Sequence, residues 1–180
     1  VSLNSRQQVF WRVRVWDQDG HESSYSEAAC FSIGLMQNGD WQASWIHFDG
    51  NNPSCSAPCP YFRREFQIRS GLSRATLYIS ARGLFSAHLN GNKISNDEFV
   101  PGWTDYQQQL QYLSYDLTDS LQCGANALGV ILGDGWYCGY LSGRRRNIYG
   151  NFPELLLQLE LEYADGMREE LLSDGSWKCT

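Results

Sequence analysis

The 180 residues carry 14 basic and 20 acidic side chains, a formal charge of −6 at pH 7, with 42% hydrophobic and 19% charged positions. That balance is globular, and its sign argues against nucleic acid and against an anionic membrane surface as partners. No apolar run approaches the ~20 residues that span a bilayer, and the length suffices for one good core with some chain left over.

Starting at Val1 without a Met or a signal peptide, the chain reads as an excised fragment. Residues 9–16, VFWRVRVW, alternate so that Val9, Trp11, Val13 and Val15 share a face, and residues 28–33, AACFSI, form a second short strand. The turn cluster Asp17-Gln18-Asp19-Gly20 separates them. This pair resembles the last two strands of a fibronectin type III module, of which residues 1–36 supply about a third. A lone hairpin is marginal in water. Its apolar face is therefore expected either to pack on the rest of the chain or to drive self-association of the fragment.

Residues 37–60 read as a connector that ends in an exposed loop rich in Asn, Ser, Pro and Cys. The six cysteines, Cys30, Cys55, Cys59, Cys123, Cys138 and Cys179, are irregularly spaced, and the close pair Cys55–Cys59 has no second pair or His to complete a zinc set. They are expected to be mostly free thiols of a reducing compartment, which favours a cytoplasmic location.

From Tyr61 onward the strand signals are regular. Strands are predicted over Phe62–Ile68, Ala75–Ala81, Leu84–Leu89, Tyr112–Leu117 and Leu128–Leu132, with Asn90-Gly91 as a strong hairpin signal. Leu155, Leu157, Leu159, Leu161 and Tyr163 alternate with Gln158, Glu160 and Glu162, which predicts one buried and one wet face. Asp165-Gly166 turns that strand into Met167–Leu172, and Asp116–Leu121 is the one expected helical turn. Residues 61–180 are thus expected to be all-β, an antiparallel, jelly-roll-like sandwich.

The stretch Leu128–Tyr140, LGVILGDGWYCGY, runs from a buried strand into a glycine-rich loop carrying Asp134, Trp136 and Tyr137. A carboxylate beside large aromatics suits a sugar: a flat apolar wall and a hydroxyl acceptor. Phe99–Tyr106, FVPGWTDY, is a second such loop, with Trp103 and Asp105. The alternative is that these aromatics cap a core. Asn90 is explained by turn geometry alone. Asp97, Glu98, Asp105 and Asp134 lie in loops, but nothing in the spacing pairs two carboxylates as glycoside hydrolysis requires. His21, His47 and His88 are isolated, and the basic run Arg144–Arg146 reads as a solvated loop. The glycines of GDGWYCG are not expected to open a helix, so no phosphate cradle results. No catalytic residue and no metal site are expected.

The ordered pieces YFRREF (61–66), ATLYISARG (75–83), LNG (89–91), PGWTDY (101–106), YDLT (115–118), GANAL (124–128) and LGDGWY (132–137) resemble the N-terminal β-sandwich domain of bacterial α-L-rhamnosidases. PGWTDY and LGDGWY in this order are the specific part. The resemblance implies a galactose-binding-like fold and a parent glycoside hydrolase that releases terminal α-L-rhamnose with inversion. Its acid and base carboxylates would sit on a downstream (α/α)6 barrel. The domain here would accompany that barrel, with Trp103, Asp105, Asp134, Trp136 and Tyr137 toward carbohydrate. In some relatives such a domain binds rhamnose through calcium held by Asp and Asn; no positions here match those ligands, and no cofactor is otherwise expected. A structural spacer of the same enzyme and an adhesion or receptor module are the competing readings.

Overall fold

A computed structural model describes residues 2–50, 52, 55, 57–141, 143 and 145–180. The chain divides into two compact units, Val1–Gln42 and Ala43–Thr180.

In the first unit, β1 (Gln8–Trp11) pairs antiparallel with β2 (Ala29–Ser32), setting Val9 opposite Phe31 and Trp11 opposite Ala29. The strand expected over 9–16 stops at Trp11 because serine hydroxyls replace main-chain acceptors beyond it. Val13 N–H donates to Ser26 Oγ at 3.0 Å and Val15 N–H to Ser23 Oγ at 3.1 Å, while their carbonyls accept from Ser26 N–H and Ser23 N–H. Asp40, in a 3-10 turn at Asn38–Asp40, ties the ends of the unit together. It accepts from Ser5 Oγ at 2.6 Å, from Gln37 N–H at 2.8 Å and from Arg6 Nη1 at 3.1 Å. The Ser5 hydroxyl first, then the Gln37 amide, hold its carboxyl down at about 2.

The second unit is an antiparallel two-sheet sandwich. Its strands are β3 (Tyr61–Ile68), β4 (Leu72–Arg82), β5 (Leu84–Leu89), β6 (Asn92–Lys93), β7 (Leu113–Asp116), β8 (Gly124–Gly133), β9 (Glu154–Tyr163), β10 (Arg168–Leu172) and β11 (Lys178–Cys179). One sheet has the order β10-β9-β4-β7, the other β11-β3-β8-β5-β6. Alternate residues of β3, β4, β5, β8 and β9 fill the space between, with Leu77, Ile79, Leu128, Leu132, Leu157 and Leu159 fully buried. The Asn90-Gly91 loop joins β5 to β6 with φ of 52° and 86°, the left-handed pair that a tight hairpin requires. Asn90 is structural: its Oδ1 accepts from Ala127 N–H at 2.8 Å and its Nδ2 donates to Asn126 Oδ1 at 2.9 Å.

The helical turn expected at Asp116–Leu121 is a single turn, closed by Leu121 N–H to the Leu117 carbonyl at 3.1 Å and capped by the Asp116 carboxylate on Thr118 N–H at 2.9 Å. Two other expectations change. The helix is instead α1 (Gly135–Cys138), which opens where the glycines were expected to forbid one; with four residues it still offers no phosphate cradle. Likewise β9 has no continuous wet face, because Leu156 and Gln158 are buried along with the inward leucines. On the neighbouring β4, Tyr78 packs edge-on against Tyr112 at 6.2 Å and Ser80 Oγ donates to the Gln111 carbonyl at 2.7 Å, so the 103–112 loop roofs that half of the sheet. The loop expected over 49–60 lies partly outside the described residues, at Asn51, Pro53, Ser54 and Ser56, as does Arg144 of the basic run.

Candidate functional site

Three segments converge at one end of the sandwich: 97–106 between β6 and β7, 134–140 after β8, and 146–150 before β9. The first two are pinned by the strands and the third by the second, through Asn147 N–H to the Cys138 carbonyl at 3.2 Å and Tyr149 N–H to the Tyr137 carbonyl at 3.3 Å. Phe85 N–H donates to the Val100 carbonyl at 2.9 Å, which fixes the first segment on β5. Gly83 lets the β4–β5 corner lie against the carbonyls of Gly133 and Asp134, and at φ 124° only glycine sits there without strain. Phe99 holds φ at 57°, an uncommon backbone for a bulky residue and a mark of a constrained loop.

The structure brings Trp103 and Trp136 together as a parallel stack, ring centroids 5.9 Å apart and planes 5° from parallel. Phe99 adds to Trp136 at 6.4 Å. Phe99 is 69% and Trp103 52% exposed, so this aromatic surface is open to solvent rather than a core cap. Stacking of the two indoles is worth about 0.5–1.5 kcal/mol beyond area burial, enough to hold the loops in register.

Tyr137 departs from the exposed role expected of it. It is 9% exposed, its ring edge-on to Tyr106 at 5.3 Å and its hydroxyl end against Gly150, where a Cβ would collide with it. Tyr106 in turn meets Tyr149 at 5.1 Å. Burial raises the hydroxyl pKa of both Tyr106 and Tyr137. These three tyrosines form an edge-to-face chain on the same loops as the exposed aromatics.

Asp134 precedes α1 and pairs with Arg146 Nη2 at 2.7 Å. The basic run is therefore not a wholly solvated loop: the Arg146 side chain is 11% exposed, and its guanidinium also lies over the Tyr140 ring at 5.2 Å. Cys138, under Asp134, is buried; burial first and then the Asp134 charge push its thiol up to about 12. Asp105 is exposed and closes its own turn, its Oδ1 accepting from Gln107 N–H at 3.1 Å.

The remaining loop acids are also engaged. Glu98 takes Lys93 at 2.6 Å, and Asp97 accepts from Tyr115 at 3.0 Å. Hydrogen bonds from Ser95 and Tyr115 lower the Asp97 pKa, the opposite of what a general acid needs. Among the described residues, one set of three metal-binding side chains converges, Asp17, Asp19 and His21, all exposed. Asp17 Oδ1 accepts from the N–H groups of Asp19 and His21 at 2.9 Å, which closes the turn.

Phe99, Tyr140 and Arg146 belong to this surface but were not singled out from the sequence. The one signal for Arg146 was an acid and a base twelve residues apart in flanking loops.

Residues 70–180 match the model of the α-L-rhamnosidase N-terminal domain. The chain belongs to that family. Residues 1–37 match the Rha78A-like N-terminal immunoglobulin domain. An α-L-rhamnosidase of Alteromonas sp. (strain LOR) is 37% identical over 185 residues, covering 99% of this chain and 20% of that protein. The crystal structure of native α-L-rhamnosidase from Aspergillus terreus superposes with a TM-score of 0.93 at 37% identity, over 99% of this chain and 21% of that one. The α-L-rhamnosidase of Dictyoglumus thermophilum gives 0.86 at 34% identity, over 99% and 21%. The chain thus spans about a fifth of the length of the curated relatives that match almost all of it.

Proposed function

We propose that this chain is the carbohydrate-associated, non-catalytic N-terminal part of an enzyme that releases terminal α-L-rhamnose with inversion, the chemistry residing in a following catalytic domain. The observation that carries the reading is the solvent-open aromatic surface of Phe99, Trp103 and Trp136 beside the Asp134–Arg146 pair. A sugar ring would lay its C–H face on Trp103, while the carboxylate and guanidinium offer acceptors and donors to hydroxyls. Tyr137 is buried next to Trp136 in the same loop, and Asp105 holds the turn that carries Trp103. The absence of catalysis rests on the engagement of Asp97, Glu98, Asp105 and Asp134 by their own neighbours.

A tryptophan-fluorescence titration of the chain with L-rhamnose tests the binding. A single ring exposed on one side competes with water for every hydroxyl, so the expected affinity is about millimolar. Trp103→Ala should weaken it several-fold. No change with L-rhamnose well above that range favours a spacer without sugar affinity. Turnover of an aryl α-L-rhamnoside above a heat-killed control, abolished by Asp105→Ala or Asp134→Ala, would show that the chain is catalytic.

A further inference from the structure

The aromatic surface of the sandwich has a floor and a wall. Trp103 and Trp136 lie 5° from parallel with centroids 5.9 Å apart, which makes the floor. The Phe99 ring meets Trp136 at 6.4 Å with its plane turned 54° from that indole. The three rings therefore form an angular corner rather than a flat plate. Segments 134–140 and 146–150 adjoin the ends of β8 and β9, and each of those strands is hydrogen-bonded to a neighbour on both sides. The corner is thus a loop surface at the end of a paired sheet, not the open face of a partial one.

Phe99 sits there against its own preferences. It is 69% exposed, and its φ of 57° is one that a bulky residue seldom adopts. Neither burial nor backbone ease selects a phenyl at this position, and strain of this kind clusters at ligand clamps. The chain on either side of it has its polar groups engaged elsewhere. Glu98 takes Lys93 at 2.6 Å, Asp97 accepts from Tyr115 at 3.0 Å, and the Val100 carbonyl accepts from Phe85 N–H at 2.9 Å. The wall is apolar, and its immediate chain neighbours are committed to other partners.

A hexose ring laid with its C–H face on an indole carries one exocyclic carbon at the ring edge. In this corner that carbon comes against the phenyl. A methyl group there gains apolar contact, whereas a hydroxymethyl gives up water for a surface that offers its hydroxyl no partner. We propose that Phe99 is a specificity-determining residue that makes this surface select 6-deoxy sugars, the methyl group of L-rhamnose packing on its ring. The assignment rests on the sugar-binding reading above and adds to it the part of the sugar that is recognised. An enclosed apolar pocket rejects an added hydroxyl by up to about 100-fold, so a wall open on one side should give about three- to tenfold.

A 1H–15N shift titration of the 180-residue chain tests it, following the indole N–H groups of Trp103 and Trp136. The two probes are L-rhamnose and L-mannose, the same hexose with a hydroxymethyl in place of the methyl, each carried well above the millimolar range. L-Rhamnose should bind about three- to tenfold tighter. Phe99→Ala, at an exposed position that does not threaten the fold, should bring the two affinities together by weakening L-rhamnose alone. Equal affinities in the unaltered chain would overturn the assignment and leave sugar binding standing. So would a preference that survives Phe99→Ala, or an equal loss of both sugars in that variant. No shift with either sugar would overturn the assignment together with the reading on which it rests.

Discussion

Residues 43–180 and residues 2–42 are both built from antiparallel strands, yet they secure them by different means. The sandwich unit interleaves two sheets around a continuous core from Phe62 to Trp177. The N-terminal unit has one two-stranded sheet, a single buried hydrophobic among its described residues, and a polar knot of Ser5, Arg6 and Asp40. Its aromatics are used as surface, stacked on arginines or left open. In one unit burial fixes the strands and leaves the loop aromatics exposed; in the other, polar ties do the fixing and the strands themselves are exposed.

Core truncation should break the symmetry most strongly. Leu157→Ala, at a fully buried position of β9, should cost about 2–5 kcal/mol in urea unfolding. Val13→Ala in the N-terminal unit should cost less than about 0.5 kcal/mol, as surface changes do. Equal costs would mean that Val13 is buried in solution.

Gly150→Ala sharpens the contrast inside the sandwich. The added methyl meets the Tyr137 ring, so overpacking should cost about 1–3 kcal/mol. It should also disturb the sugar surface through Tyr137, visible as lost L-rhamnose quenching. Trp103→Ala removes the indole stack and should lower stability by no more than about 1.5 kcal/mol while reducing sugar binding. A stability loss as large as that of Leu157→Ala would make Trp103 a core residue instead.

Acid separates the units by their ties. Asp40 is held at about 2 against an ordinary value of 3.8, so its contribution is complete above pH ~4 and lost as pH falls through 2. Asp165, bonded to Arg69, is likewise lowered to about 2, yet it lies beside a buried core that does not titrate. Protection of the amides at residues 5–8 and 36–40, relative to their intrinsic exchange rates, should therefore fall between pH 4 and 2 while β4 and β8 stay protected. The smallest effect is chemical. Cys138, with its thiol pushed up to about 12, should resist maleimide at neutral pH, whereas exposed Cys30 and Cys123 should react readily.

Much of the sandwich was legible because its strands are short, alternate with period two and end at left-handed turns such as Asn90-Gly91. What stayed hidden depends on segments distant in sequence. The second buried face of β9 exists because a loop forty residues earlier roofs the sheet at Tyr78 and Ser80, while Gln158 itself reads as solvent-facing. Tyr137 is buried because Gly150, thirteen residues on, admits its ring. The Asp134–Arg146 pair closes across two loops that no local rule connects. In the N-terminal unit, the hydroxyls of Ser23 and Ser26 shorten a strand that alternation alone extends to Trp16.

Hydrogen exchange of the whole chain with and without a rhamnose-terminated oligosaccharide tests the central claim most directly, that carbohydrate meets the loop end of the sandwich. Added sugar at tens of millimolar should slow exchange in residues 97–106 and 134–150 and leave residues 8–32 and the Asn90 hairpin unchanged. Protection appearing in the N-terminal unit or at the hairpin end, or no protection at either loop, would contradict it.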